Sequence, residues 1–160
     1  NGITDTNLKA IYDALANVKK VGGGSLKLNG SSMGGYQSMC LAGMATMAGI
    51  KIDNLISTVT AFCNPSGTPN DGRINDIFGI GYEDNMRYFD PVYFAEYVQL
   101  TGLAYIDRCG LGDYTCPPSG IIATYNALKC NKKIVFYQNS THSYKTGKDF
   151  NNFAVSHAAQ

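Results

Sequence analysis

The sequence predicts an α/β protein: a parallel sheet with helices on both faces. Three observations carry this. Helix-patterned and strand-patterned segments alternate along the 160 residues. The connections between strand candidates are long enough to hold crossover helices, as parallel pairing requires. A glycine-rich turn at residues 30–35 joins a strand candidate directly to a helix candidate.

Taken in order, the first helix covers residues 5–20. Thr4 or Asp5 caps it, and Leu8, Ile11, Tyr12, Leu15 and Val18 recur at helical spacing. Lys19 and Lys20 suit the negative end of its dipole, and Gly22, Gly23 and Gly24 end it. Residues 25–29 read as a short strand, 30–35 as a tight turn, and 36–48 as a helix rich in Met and Ala. A second strand spans 54–62, with Leu55, Ile56, Val59 and several threonines. An excursion at about 65–100 follows. It opens polar and turn-rich, then becomes dense in aromatics at Tyr88, Phe89, Tyr93, Phe94 and Tyr97. These aromatics are expected mainly to pack, with a sugar- or acyl-contacting wall as the other use. A third strand covers 102–109, a helix with Pro near its start 117–129, a fourth strand 132–137 and a terminal helix 149–159. No internal repeat interrupts this order. Residues 1–160 thus read as one domain or part of one, with the chemistry expected at the carboxyl ends of the strands.

Composition narrows the function. Hydrophobic residues make up 44% of the chain, which excludes general disorder. A net charge of +1 gives no basic patch for nucleic acid and no acidic tail. No apolar run approaches the roughly 20 residues that span a bilayer. Neither nucleic acid nor membrane is therefore an expected partner. Five cysteines, Cys40, Cys63, Cys109, Cys116 and Cys130, share no C-x-x-C spacing, which argues against a zinc ribbon or a complete disulfide framework. They are expected to be small packed hydrophobes. Asn70, Asp71, Gly72 and Asp76 lack the spacing of an EF-hand, so no metal or other cofactor is expected. The N-terminus shows no basic-then-apolar leader, and the chain opens on Asn1, as a processed or excised chain would. Asn29-Gly30-Ser31 and Asn139-Ser140-Thr141 match the glycosylation pattern, but both flank the residues assigned below to catalysis and read as chance matches.

Gly30-Ser31-Ser32-Met33-Gly34 fits G-x-S-x-G between a strand and a helix, the context that pattern needs. There Ser32 is the candidate nucleophile, pushed out over the sheet edge. The Met33 backbone N–H, at the helix start, is the candidate oxyanion donor. A serine hydroxyl needs a base within hydrogen-bond reach and an acid to orient that base. Of the two histidines, His142 follows the fourth strand directly, whereas His157 falls in the terminal helix and reads as a solvated residue. Asp113 follows the third strand. The order Ser32, Asp113, His142 is the nucleophile–acid–base order of α/β hydrolases, with each residue after a different strand. Met39, Met44 and Met47 read as helix packing; Met33 is the exception because it borders Ser32. Cys116, three residues after Asp113, is expected to pack or to line the site.

Three segments resemble the acetyl xylan esterases, the carbohydrate esterases grouped with cephalosporin C deacetylases. The most specific is Asp113-Tyr114-Thr115-Cys116-Pro117-Pro118-Ser119, which runs on to Tyr125-Asn126-Ala127. Tyr88-Phe89-Asp90-Pro91-Val92-Tyr93-Phe94-Ala95 is similar to that family's Tyr-x-Asp-Pro-x-x-Phe-Ala segment, and residues 30–35 to its elbow. In the elbow Gln more often stands where Met33 is, and Ser143-Tyr144 after His142 also depart from the usual pattern. The resemblance implies a serine esterase that removes acetyl groups from xylan or small acetylated sugars. It casts Ser32 as nucleophile, Asp113 as acid and His142 as base. If xylan is the substrate, an extracellular or periplasmic location follows.

A complete α/β hydrolase usually carries strands before the first helix seen here, and the loop after its third strand supplies a second oxyanion N–H. The chain is therefore expected to be the C-terminal portion of such a domain, completed by an N-terminal segment or a second chain. Robust hydrolysis by residues 1–160 alone would contradict that. Rival readings are a feruloyl-type esterase, a peptidase of the prolyl oligopeptidase type, and a non-catalytic carbohydrate-binding or assembly module that keeps the fold.

Overall fold

A computed structural model describes residues 2–20, 24–65, 84–138 and 140–143. The expected terminal helix at 149–159, His157 and the 70–76 turn lie outside the described residues.

Helix α1 runs Gly2–Lys20, starting three residues earlier than its periodic pattern. Its Ile11 is buried against Tyr36 and Cys40 of the next helix. Strand β1 is Lys27–Ser31, with burial that alternates residue by residue. It ends two residues later than its hydrophobic pattern because Gly30 and Ser31 continue the ladder opposite Ser57 and Thr58. Helix α2, Met33–Met47, likewise starts earlier than expected, immediately after Ser32. It is apolar nearly all round, as a helix surrounded by protein must be, and Met39, Cys40, Ala42 and Ala45 are fully buried.

Strand β2 is Asn54–Thr58, not the 54–62 of the sequence pattern. The physical reason is backbone conformation: φ is positive at Val59 (41°), Phe62 (57°) and Asn64 (54°), so the β-prone run bends off the sheet. A 3-10 turn at Asp84–Tyr88 leads to the short helix α3, Pro91–Ala95. Asp90 caps α3 by accepting from Val92 N–H at 3.0 Å, and Pro91 occupies the first helical position. The excursion's aromatics divide by polarity. Phe89 and Phe94 pack against the Tyr36 cluster, while Tyr88, Tyr93 and Tyr97 stay exposed. Strand β3 is Ala104–Gly110, helix α4 Pro118–Ala127 and strand β4 Lys132–Tyr137.

The four strands form one parallel sheet in the order β1-β2-β3-β4. Helix α2 lies on β1 and β2, α4 on β3, and contacts α1–α2, α2–α3 and α3–α4 join the described helices into one layer. Met39, Ile52, Leu55, Ile106, Ile121 and Leu128 fill the space between that layer and the sheet. Register shifts after Ser57 and after Ile106 twist the carboxyl ends of β2 and β3, which is where the turns that bear the site begin.

Two features of this frame have measurable consequences. Lys132 Nζ donates to the carbonyls of Tyr125, Asn126 and Leu128 at the end of α4, and sits 4.7 Å from the Tyr125 ring centroid. It supplies both hydrogen bonds and positive charge to a helix C-terminus. Replacing Lys132 by Met should cost about 1–3 kcal/mol in urea unfolding; a change within about 0.3 kcal/mol would show these bonds to be idle.

Asp90 is fully buried, and burial raises its carboxyl from 3.8 to about 6 despite hydrogen bonds from Val92 and Asn64 N–H. Tyr36, Cys40 and Cys63 face it, and burial raises all three, so they stay neutral through that range. A folded-state value above the unfolded one means the folded protein holds the proton more tightly. The stabilisation is therefore complete below about 3.8 and lost as pH rises through about 6. Wild type should gain stability relative to Asp90→Asn as pH falls from neutrality toward 4. A pH-independent difference between the two would contradict this origin.

Candidate active site

The turn between β1 and α2 is forced into an unusual path. Ser32 has φ 53° and ψ −114°, a conformation L-residues seldom adopt. Three backbone bonds hold it there. Ser32 N–H donates to Thr58 O at 2.8 Å, and Ser32 O accepts from Tyr36 N–H at 3.0 Å and from Ala61 N–H at 3.1 Å. Serine is a favoured helix cap, yet the Ser32 hydroxyl makes no capping bond to α2. It is directed instead to His142 Nε2, 3.0 Å away.

The glycines of the turn are unequal. A Cβ on Gly30 would meet the Gly34 carbonyl and come within 2.6 Å of Ser38 Oγ; one on Gly35 would lie 2.8 Å from Ser57 Oγ and 3.1 Å from Thr58 O. At Gly34, the second glycine of the G-x-S-x-G pattern, nothing lies within 4 Å. The two glycines that the G-x-S-x-G pattern ranks together are thus not equivalent. Close packing of helix on strand requires Gly30 and Gly35, whereas Gly34 faces open space.

Asp113 and His142 come from the turns after β3 and β4. Those turns are stitched to each other: Gly112 N–H donates to Ser140 O at 3.1 Å, Leu111 N–H to Tyr137 O at 3.0 Å, and the Arg108 guanidinium to Ser140 Oγ at 3.0 and 3.2 Å. Ser140, two residues before His142, is buried and held by these bonds. The Asp113 side chain is fully buried. Its Oδ1 accepts from Thr115 N–H at 2.9 Å and Cys116 N–H at 2.8 Å, and its Oδ2 lies 3.0 Å from His142 Nδ1. A carboxylate only accepts, so Nδ1 carries the proton and Nε2 is left to accept from the Ser32 hydroxyl. The His142 ring is 24% exposed, enough for its reacting edge to meet a ligand.

The structure therefore brings Ser32, His142 and Asp113 into one hydrogen-bonded chain. Met33, next to Ser32, opens α2, so its backbone N–H has no acceptor within the helix. Its side chain is exposed, as are Leu111 and Tyr114 in the turn bearing Asp113. Two contributors are not visible in the sequence pattern: the Arg108–Ser140 bond and the loop at 59–64. Each acts through a partner distant in the chain, with no local motif to mark it.

Cys116 is buried beside this chain. Its thiol, with a carboxylate oxygen of Asp113 and a ring nitrogen of His142, forms a group of possible metal ligands within 4.8 Å of one another. Metal ligation needs a thiolate. Burial first, then the Asp113 carboxylate, push the Cys116 thiol up to about 12, with the neighbouring Ser32 hydroxyl acting in the opposite direction. Both Asp113 oxygens are also already engaged. Asp113 and His142 fit their hydrogen-bonded chain to Ser32 better than a cation site. No helix among the described residues is long and apolar enough to cross a membrane. Of the two glycosylation-pattern asparagines, Asn29 is exposed on β1, and Asn139 lies outside the described residues.

The sequence model of the acetyl xylan esterase (AXE1) family matches residues 81–157. No curated protein sequence matches the chain. Among solved structures, acetyl xylan esterase 1 from Thermoanaerobacterium sp. is similar with TM-score 0.64 at 18% identity, covering 91% of this chain and 50% of its own. An acetyl xylan esterase from a Paenibacillus species gives TM-score 0.64 at 21% identity, with 96% of this chain and 51% of its own covered. A monoacylglycerol lipase of Paleococcus ferrophilus gives TM-score 0.59 at 16% identity, over 96% of this chain and 74% of its own. These likenesses establish an α/β-hydrolase fold. The chain spans about half the length of the two acetyl xylan esterases it matches.

Proposed function

We propose, on the premise that residues 81–157 are of the acetyl xylan esterase family, that the protein is a serine carboxylic-ester hydrolase acting on acetylated sugars. The observation that carries this reading is the continuous Ser32–His142–Asp113 hydrogen-bond chain at the carboxyl ends of three parallel strands.

In this reading His142 Nε2 takes the Ser32 proton as Oγ attacks the acetyl carbonyl. Negative charge gathers on the carbonyl oxygen, where the Met33 N–H donates. A second donor from outside the described residues completes the hole, each donor being worth about 3–4 kcal/mol. His142 then returns the proton to the departing sugar oxygen and leaves an acetyl group on Ser32. Water, deprotonated by His142, releases acetate by the same steps in reverse. Asp113, itself held by two backbone N–H groups, keeps the imidazole in the right tautomer and stabilises the imidazolium. No cofactor takes part in these steps. Because the second donor and one wall of the acyl pocket lie elsewhere in the fold, full turnover calls for an N-terminal segment or companion chain.

The test is substrate profiling. Acetate release from acetylated xylo-oligosaccharides and p-nitrophenyl acetate should exceed release from butyryl, longer acyl, feruloyl and peptide substrates. Preference for any of the last four would replace the acetyl reading by one of its rivals. Covalent trapping of Ser32 with no turnover of any ester would point to a site that needs its companion segment.

A further inference from the structure

We propose that Asp90 is a positioning residue for Ser32, acting through Asn64 and the strained loop that follows β2. The inference rests on the reading of Ser32 as nucleophile and adds to it a residue that touches neither substrate nor reacting atoms.

Non-glycine residues with positive φ are rare, and among the described residues there are four: Ser32, Val59, Phe62 and Asn64. All four belong to one joint. Leaving β2, the chain receives Ser32 N–H on Thr58 O at 2.8 Å and returns Ala61 N–H to Ser32 O at 3.1 Å, so the loop grips Ser32 on both sides. A loop with three residues in left-handed conformations keeps that path only if both of its ends are fixed. The near end is tied to the sheet, with Val59 N–H on Arg108 O at 3.1 Å. The far end is tied to Asp90: Asn64 N–H donates to its Oδ1 at 2.9 Å, and the same oxygen caps α3 through Val92 N–H at 3.0 Å. In between, Phe62 stands edge-on to Tyr36 of α2, with ring centroids 5.9 Å apart. Cys63 O lies against Gly120 of α4. Asp90 is fully buried, so water does not compete for either bond. If the Asn64 pin is released, the strain can relax by turning the loop outward. The bond that gives way is then the one from Ala61 N–H to Ser32 O; that carbonyl keeps only its bond from Tyr36 N–H at 3.0 Å, and the Ser32 backbone can turn Oγ from His142.

Asp90→Ser separates the two duties of the residue. A serine at this position still caps α3, but its shorter side chain does not reach Asn64. Asp90→Asn keeps a carbonyl oxygen for both bonds. Two readouts are needed: amide hydrogen exchange at Ala61 and Asn64, and the rate at which a fluorophosphonate labels Ser32. Asp90→Ser should speed exchange at both amides and slow labelling about tenfold or more while the chain stays folded, since a small misplacement of a nucleophile is costly. Asp90→Asn should restore both. Unchanged exchange at Ala61 in Asp90→Ser, or equal slowing in the Asn variant, would overturn the proposal. Wild type alone supplies a further check, because an Asn64 amide exchanging as fast as an exposed loop amide would refute the pin without any variant. If wild type is not labelled at all, the nucleophile reading fails, while the exchange data still decide the role of Asp90 in the loop.

Discussion

Ser32→Ala should lower ester hydrolysis by about a thousandfold or more, as removal of a nucleophile does in other triads. The Ser32 Oγ lies 3.0 Å from His142 Nε2 and makes no capping bond to α2, so its loss leaves the helix start as it was. On the proposed reading, the Met33 N–H and substrate binding remain, which in known triads still leave about 10³–10⁴-fold over water. His142→Ala should cost a similar factor. The double variant should cost little more than either alone, because the two groups work as one unit. Initial rates on p-nitrophenyl acetate, taken with the completing N-terminal segment present, measure all three. A Ser32→Ala rate within tenfold of wild type would move the nucleophile elsewhere.

Gly30→Ala should be the most destabilising of the small substitutions at the turn, and Gly34→Ala the least. The added methyl at Gly30 would strike the Gly34 carbonyl, which is backbone, and approach Ser38 Oγ to 2.6 Å. Relief would require β1 and α2 to separate, and with them Ser32. A loss of about 3–5 kcal/mol is expected, the range of severe overpacking. At Gly34 nothing lies within 4 Å, and alanine is the better helix former by about 1 kcal/mol. Gly34→Ala should therefore be neutral or mildly stabilising. Urea midpoints for the two variants decide the point, and equal losses would mean that the close approach is not where the structure puts it.

The sequence made the elements legible because their signals are local. Strand β4 occupies Lys132–Tyr137, as its apolar run predicts. The candidate triad could be read for the same reason, since each member follows a strand candidate and the G-x-S-x-G spacing marks the first. Features that depend on the meeting of distant segments left no such trace. The run Val59-Thr60-Ala61-Phe62 reads as strand, but it leaves the sheet as a loop with positive φ at Val59 and Phe62, bonded to Ser32 through Ala61 N–H. G-x-S-x-G ranks Gly34 with Gly30, yet the distance between strand and helix makes only Gly30 and Gly35 essential. Asp90 stands in the Tyr-x-Asp-Pro segment that carries the resemblance, and its cap on α3 is seen only in the structure. That it also fixes Asn64 follows only from the fold.

The central claim is that Ser32 is an activated nucleophile. Its most direct test is the intact mass of the protein with and without a fluorophosphonate probe, followed by peptide mapping. A single adduct on Ser32, abolished by His142→Ala, is the predicted result. An adduct on another residue, or one on Ser32 that survives loss of His142, would contradict the account.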